Sequence, residues 1–177
     1  MKHIHSVVTI FALCICLTAF AQPSSPVTTP ATAQPEPAHK PAAAFNEAAD
    51  RALQAMTKRA EELKIKGAAV VAYFEGEAIT SWSSRMAVVG TMKNAPTDKN
   101  RGSNLLAIAY SKAAEMAETL KDSGSAGRPP MTGETGWQGG LIRKVAGGYV
   151  IAAFSGGPAE SDLKVSRAGL DILSAAL

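Results

Sequence analysis

Histidine and cysteine are nearly missing from this 177-residue chain: three and two copies, His3, His5, His39, Cys14 and Cys16, all within the first 39 positions. From Phe45 onward there is therefore no imidazole base, thiol nucleophile, disulfide framework or Cys/His metal set. Aromatic residues make up only 6% and are scattered, so no base-stacking platform is available. Charge of one sign is lacking as well. Of eighteen Lys and Arg, only Lys2 and Lys40 precede Phe45, leaving sixteen; of fifteen Asp and Glu, only Glu36 does, leaving fourteen. A surplus of two with no dense basic cluster argues against a nucleic-acid partner. No dinucleotide fingerprint, Walker-type phosphate loop or paired-carboxylate motif occurs, and Glu75 and Glu77, which flank a turn, read as solvated acids. With no catalytic constellation, the chain is not read as an enzyme.

What is present begins with an export signal. Lys2, His3 and His5 form a short polar and basic head, Val7 to Phe20 is apolar, and Ala19-Phe20-Ala21 supplies small residues before Gln22. The apolar run falls short of the roughly 18 residues that suggest a spanning helix, so residues 1–21 are read as a signal peptide cleaved after Ala21. An exported, periplasmic or extracellular protein without stable membrane insertion follows, and both cysteines leave with the signal. Residues 22–44 are rich in Pro, Ala and Thr and cannot bury enough apolar surface to offset their ordering entropy, so they read as a disordered tether that includes His39.

Residues 45–177 have the length of one domain. Phe45, Ala49, Leu53, Met56, Ala60 and Leu63 recur at three- and four-residue intervals, which predicts an amphipathic helix capped by Asn46 and stopped by Gly67. Two β-prone runs, 69–74 and 77–83, flank Glu75-Gly76 and predict a hairpin, with a third strand at Arg85–Val89. A polar connection with Pro96 and Gly102 follows. Ser103 or Asn104 then caps a helix whose inner face is Leu106, Ala109, Ala113, Met116, Ala117 and Leu120, ending near Gly124. Residues 123–140 form a long glycine- and proline-rich loop, either functional or disordered. Strands at Leu141–Ala146 and Gly148–Ser155 precede a last helix from Pro158. The expected fold is α+β: a single antiparallel five-stranded sheet flanked by helices.

The stretch "SGGPAESDLKVSRAGL", preceded by Gly139-Gly140 and two strands, resembles the C-terminal signature of the haem-binding GlcG and HbpS family, which includes the C-terminal domain of PduO-type proteins. Ser155, Gly156, Gly157, Asp162, Ala168, Gly169 and Leu170 carry the match, and the Lys112-Ala113 pair in "YSKAAEMA" is similar to the family's middle helix. The resemblance implies a profilin-like α/β sandwich, a homo-oligomer, and a small-molecule ligand that is haem or a related tetrapyrrole. It departs from the family pattern at Glu75-Gly76 and in a last strand reading "VIAAFSGG".

Two readings stand at each candidate position. Ser155, Gly156 and Gly157 either present amides and a helix dipole to an acidic ligand, or simply turn the corner, with Gly157 at positive φ and Glu160 and Asp162 complementing the dipole. Lys112 is either a solvated lysine with a packed stem or a pocket-rim charge for a propionate. Tyr110 and Met116 are either core residues or the available iron donors, since histidine is not. Met131 and Trp137 could cover a flat apolar molecule. Against the ligand-binding reading stands an oligomeric structural or protein-interaction module without a small-molecule ligand.

Overall fold

The computed structural model describes residues 40–177; the signal, its cleavage site and His39 lie outside the described residues. The chain forms helix α1 (Lys40–Glu62), strands β1 (Gly67–Glu75), β2 (Ser83–Val89), β3 (Lys93–Asn94) and β4 (Ser103–Asn104), helix α2 (Leu105–Thr119), strands β5 (Gly140–Val145) and β6 (Gly148–Ser155), and helix α3 (Ala159–Ala176). This is an α+β domain. Its main sheet is antiparallel and four-stranded, in the order β2-β1-β6-β5, and β3 and β4 pair as a separate two-stranded ribbon. Among the described helices none is long and apolar enough to cross a membrane.

The five-stranded expectation fails at residues 77–82. A two-residue Glu75-Gly76 hairpin would need positive φ at both positions or glycine at the first, and only Gly76 is positive, at 73°. Glu75 instead stays in β1, opposite Gly148 of β6, and the chain leaves the sheet for seven residues before Ser83 pairs with Tyr73. The segment read as a third strand is thus the direct partner of β1.

Two apolar layers hold the helices to the sheet. On one face Phe45, Ala49, Ala52, Met56 and Ala60 of α1 and Val165, Leu170 and Leu173 of α3 pack on Ala69, Val71, Tyr73, Ala152 and Phe154. On the other, Ala109, Ala113, Met116 and Ala117 of α2 pack on Val70, Ala72, Phe74, Ile151 and Ala153. The strand residues alternate between layers with period two, so β1 and β6 are buried on both faces and read as continuous apolar runs. Small alanines on α2 let that helix lie close to the sheet.

Helix ends differ from their expected places. α1 begins at Lys40, inside the segment assigned to the tether: Pro41 suits a first helical turn, and Ala42–Ala44 favour helix, so no cap is needed at Asn46. It ends with Lys64 at φ 56°, where Lys64 N donates to Glu61 O and Ile65 N to Ala60 O. α2 starts as expected at Asn104, whose side chain accepts from Ala107 N at 3.0 Å, and stops at Leu120 (φ 53°), before Gly124. Gly67 is required for a different reason. A side chain there would strike the carbonyl of Ser155 in the adjacent strand.

Candidate functional site

The end of β6, the start of α3 and the middle of α2 converge on the residues the sequence singled out. Lys112 is 1% exposed, and its Nζ donates to Phe154 O at 2.7 Å and to Asp162 Oδ2 at 2.9 Å. Asp162, also buried, uses its other oxygen, Oδ1, to accept from Gly157 N at 2.9 Å. The anion held by the glycine corner is therefore the protein's own carboxylate, which reaches back from the first turn of α3. Lys112 is neither solvated nor at a rim.

Burial sets the electrostatics of this pair. Desolvation pushes the Lys112 ammonium below the usual lysine range, outweighing the pull of Asp162 in the other direction. The same cause pushes the Asp162 carboxyl above the usual carboxylate range, against Lys112 and the amides of Gly157 and Gly156. A pair so placed is costly to make and costlier to break, because removing one member strands the other without water.

Neighbouring backbone is shaped around the pair. Gly139 has φ 129°, and a side chain there would collide with Lys112 Nζ and come within 2.8 Å of Asp162 Cβ. Its carbonyl accepts from Ser166 Oγ at 2.6 Å and from Phe154 N at 3.1 Å. Neither Gly156 nor Gly157 has positive φ, contrary to the expected turn. Gly156 is glycine because a side chain would run into Lys66 O, so the corner allows two backbones to touch.

Above the pair lies an open pocket of about 550 Å³, with Lys112, Asp162, Ser155, Gly156 and Gly157 on its lining. Leu105, Ile108 and Trp137 provide apolar surface, and Asn94, Ser103 and Gln138 provide polar groups. Trp137 is 57% exposed, an uncommon state for so large an apolar side chain. At the start of α3, Pro158 makes no side-chain cap, and among the described residues the amides of Ala159 and Glu160 have no hydrogen-bond partner. Ala159 lines the pocket. The donor open to an acidic group in the pocket is thus the Ala159 amide, just beyond the glycines.

Tyr110 and Met116 are elsewhere. Met116 is fully buried between α2 and the sheet, and Tyr110 stands beside Trp82, ring centroids 6.3 Å apart, with its hydroxyl 3.5 Å from Ser84 Oγ. Neither lines the pocket, whose lining contains no His, Cys, Met or Tyr.

The loop from Ser123 to Gly140 has defined partners. Arg128 binds both oxygens of Glu134, at 2.7 and 2.9 Å, and Glu118 of α2 at 2.7 Å. Ser111 Oγ donates to Gly133 O at 2.8 Å, and Gly124 N to Glu115 Oε1 at 2.8 Å. Trp137, from the same loop, lies on the pocket lining, and its N donates to Thr135 Oγ1 at 3.4 Å.

Sequence reasoning missed Glu115 and Ser166; it had Asp162 serving the start of α3, which the bond from Gly157 N bears out, but not the bond to Lys112. The signal was there in part. Lys112 falls at helical spacing between Ala109 and Met116, and Ser166 and Asp162 fall on the buried stripe of α3 with Val165, Gly169 and Leu170. Polar residues on apolar stripes call for buried partners. No protein-family model and no curated protein matches the chain.

Proposed function

We propose that this is an exported small-molecule-binding protein whose ligand is flat, largely apolar and acidic at one edge. The observation that carries the reading is the pocket of about 550 Å³ whose lining includes both exposed Trp137 and the uncapped start of α3. The indole offers a face for stacking, Leu105 and Ile108 add apolar contact, and the Ala159 amide suits a carboxylate. Beneath them the Lys112–Asp162 pair keeps the corner rigid. A profilin-like sandwich, with helices on both faces of an antiparallel sheet, belongs to the same proposal.

Haem or a related tetrapyrrole has this shape and these edge carboxylates. The lining suits the macrocycle and not its iron, because no usual axial donor faces the pocket. Titrating the protein with haemin and with metal-free protoporphyrin, followed by Soret absorbance and Trp137 fluorescence, tests the reading. Similar affinity for both, lost in Trp137→Ala, is the expected result. Binding of neither overturns the proposal, and binding of haemin alone would show that the iron has a protein donor.

One observation favours self-association beside ligand binding. Met86 and Val88 of β2 are 36% and 44% exposed on a sheet face that α2 leaves largely uncovered, at an edge whose outer backbone groups are unpaired by the sheet. Pairing of two β2 edges in a homo-oligomer would satisfy those backbone groups and set the two Met86–Val88 patches side by side on one sheet face. The alanine face of α2 is already spent on its own sheet. A Met86→Lys, Val88→Lys variant that sediments like the parent would exclude this surface.

A further inference from the structure

A second pocket, of about 380 Å³, opens between α2 and the following loop and is lined by Glu115, Gly124, Ala126, Gly127, Arg128, Pro129, Pro130, Glu134 and Gly136. Glu115 is 1% exposed, an unusual burial for a glutamate. Its Oε1 accepts from Gly124 N, but its equally buried Oε2 has no partner. A buried carboxylate oxygen left bare is expensive, and the cations nearby do not relieve it. Arg128 is shared between Glu134 and Glu118, and Lys121 Nζ sits 3.5 Å from Ala126 O.

From this arrangement we infer that the pocket is a binding site for a primary alkylammonium group, with Glu115 Oε2 as its acceptor. Carboxylates outnumber guanidinium on the lining, with Glu115 and Glu134 against Arg128, which favours a cation. Among the described residues no cluster of three or more His, Cys, Asp or Glu side chains could hold a metal ion, so a cation carrying its own directional N–H donors is the better match. Ala126, Pro129 and Pro130 give walls for a short alkyl stem. Glu115 lines the pocket, with Oε2 beneath its surface. The site is independent of the tetrapyrrole reading, although Gly124 and Gly136 border both pockets.

Calorimetry with n-butylamine hydrochloride, 1-butanol and Nα-acetyl-lysine amide tests it. Butylamine should bind and butanol should not. Binding of the lysine amide as well would identify a protein side chain as the natural source, and its exclusion a free amine; either agrees with the site. Glu115→Gln keeps an acceptor for Gly124 N and should weaken butylamine at least about tenfold, the scale of one lost hydrogen bond to a charged group, while leaving porphyrin binding unchanged. Ala126→Leu fills the pocket without touching the carboxylate and should give the same loss, which keeps the test decisive if Glu115→Gln does not fold. No butylamine binding to the parent, equal binding of butanol, or undiminished affinity in either folded variant would overturn the inference.

Discussion

Lys112–Asp162 and Arg128–Glu134 are both cation–carboxylate pairs, one tying two helices at a strand end and the other folding a loop. Their side chains are 2% and 4% exposed in the first pair, and 30% and 8% in the second. In the buried pair desolvation dominates and moves both groups toward their neutral forms. In the loop pair hydrogen bonding dominates: Arg128 and the Met131 amide hold the Glu134 carboxyl down at about 2, and Glu134 and Glu118 hold the Arg128 guanidinium above its ordinary value. The same chemistry thus specifies packing in one place and fastens a surface segment in the other, and water decides which.

Breaking the buried pair should have the largest effect. Lys112→Met or Asp162→Asn alone is expected to cost about 3–5 kcal/mol in urea unfolding, whereas the apolar double replacement Lys112→Met, Asp162→Leu should recover much of it. A double variant as unstable as the sum of the singles would remove the distinction between the two pairs. Gly139→Ala comes next, at about 1–3 kcal/mol for a side chain forced into positive φ and against Lys112 Nζ. Normal stability there would mean that the pair can shift at no cost.

The loop pair should respond locally. Arg128→Ala is expected to leave the unfolding midpoint almost unchanged, while amide exchange at Met131 rises several-fold because its acceptor Glu134 loses its anchor. A large midpoint shift would make the loop part of the cooperative core. The smallest effect is with pH. Glu134 is lowered in the fold from 4.5 to about 2, so its contribution is complete above pH 4.5 and lost as pH falls through about 2. Carboxyl NMR showing Glu134 titrating near 4.5 would contradict the ordered loop.

Periodicity made much of the architecture legible. The stripe from Phe45 to Ala60, the Asn104 cap and the continuous apolar runs of β1 and β6 all appear where spacing and composition put them. The hairpin was misread because a Glu-Gly pair flanked by β-prone runs resembles a tight turn locally, while β6, distant in sequence, competes for β1 and holds Glu75 in the sheet. Of the candidate site, the Ser155–Gly157 corner with Asp162 serving the start of α3 was legible as one of two readings, whereas Lys112 was legible only as a position.

The chain alone determined that no histidine or cysteine occurs from Phe45 onward and which faces of its helices turn inward, because both depend on composition and short-range spacing. Tertiary structure decided the partners. Lys112 lies fifty residues from Asp162 and twenty-seven from Gly139, and only the stacking of α2 and α3 at the end of β6 brings all three together. Once water is gone from that junction, the glycine amide takes the nearest carboxylate, which belongs to the protein itself.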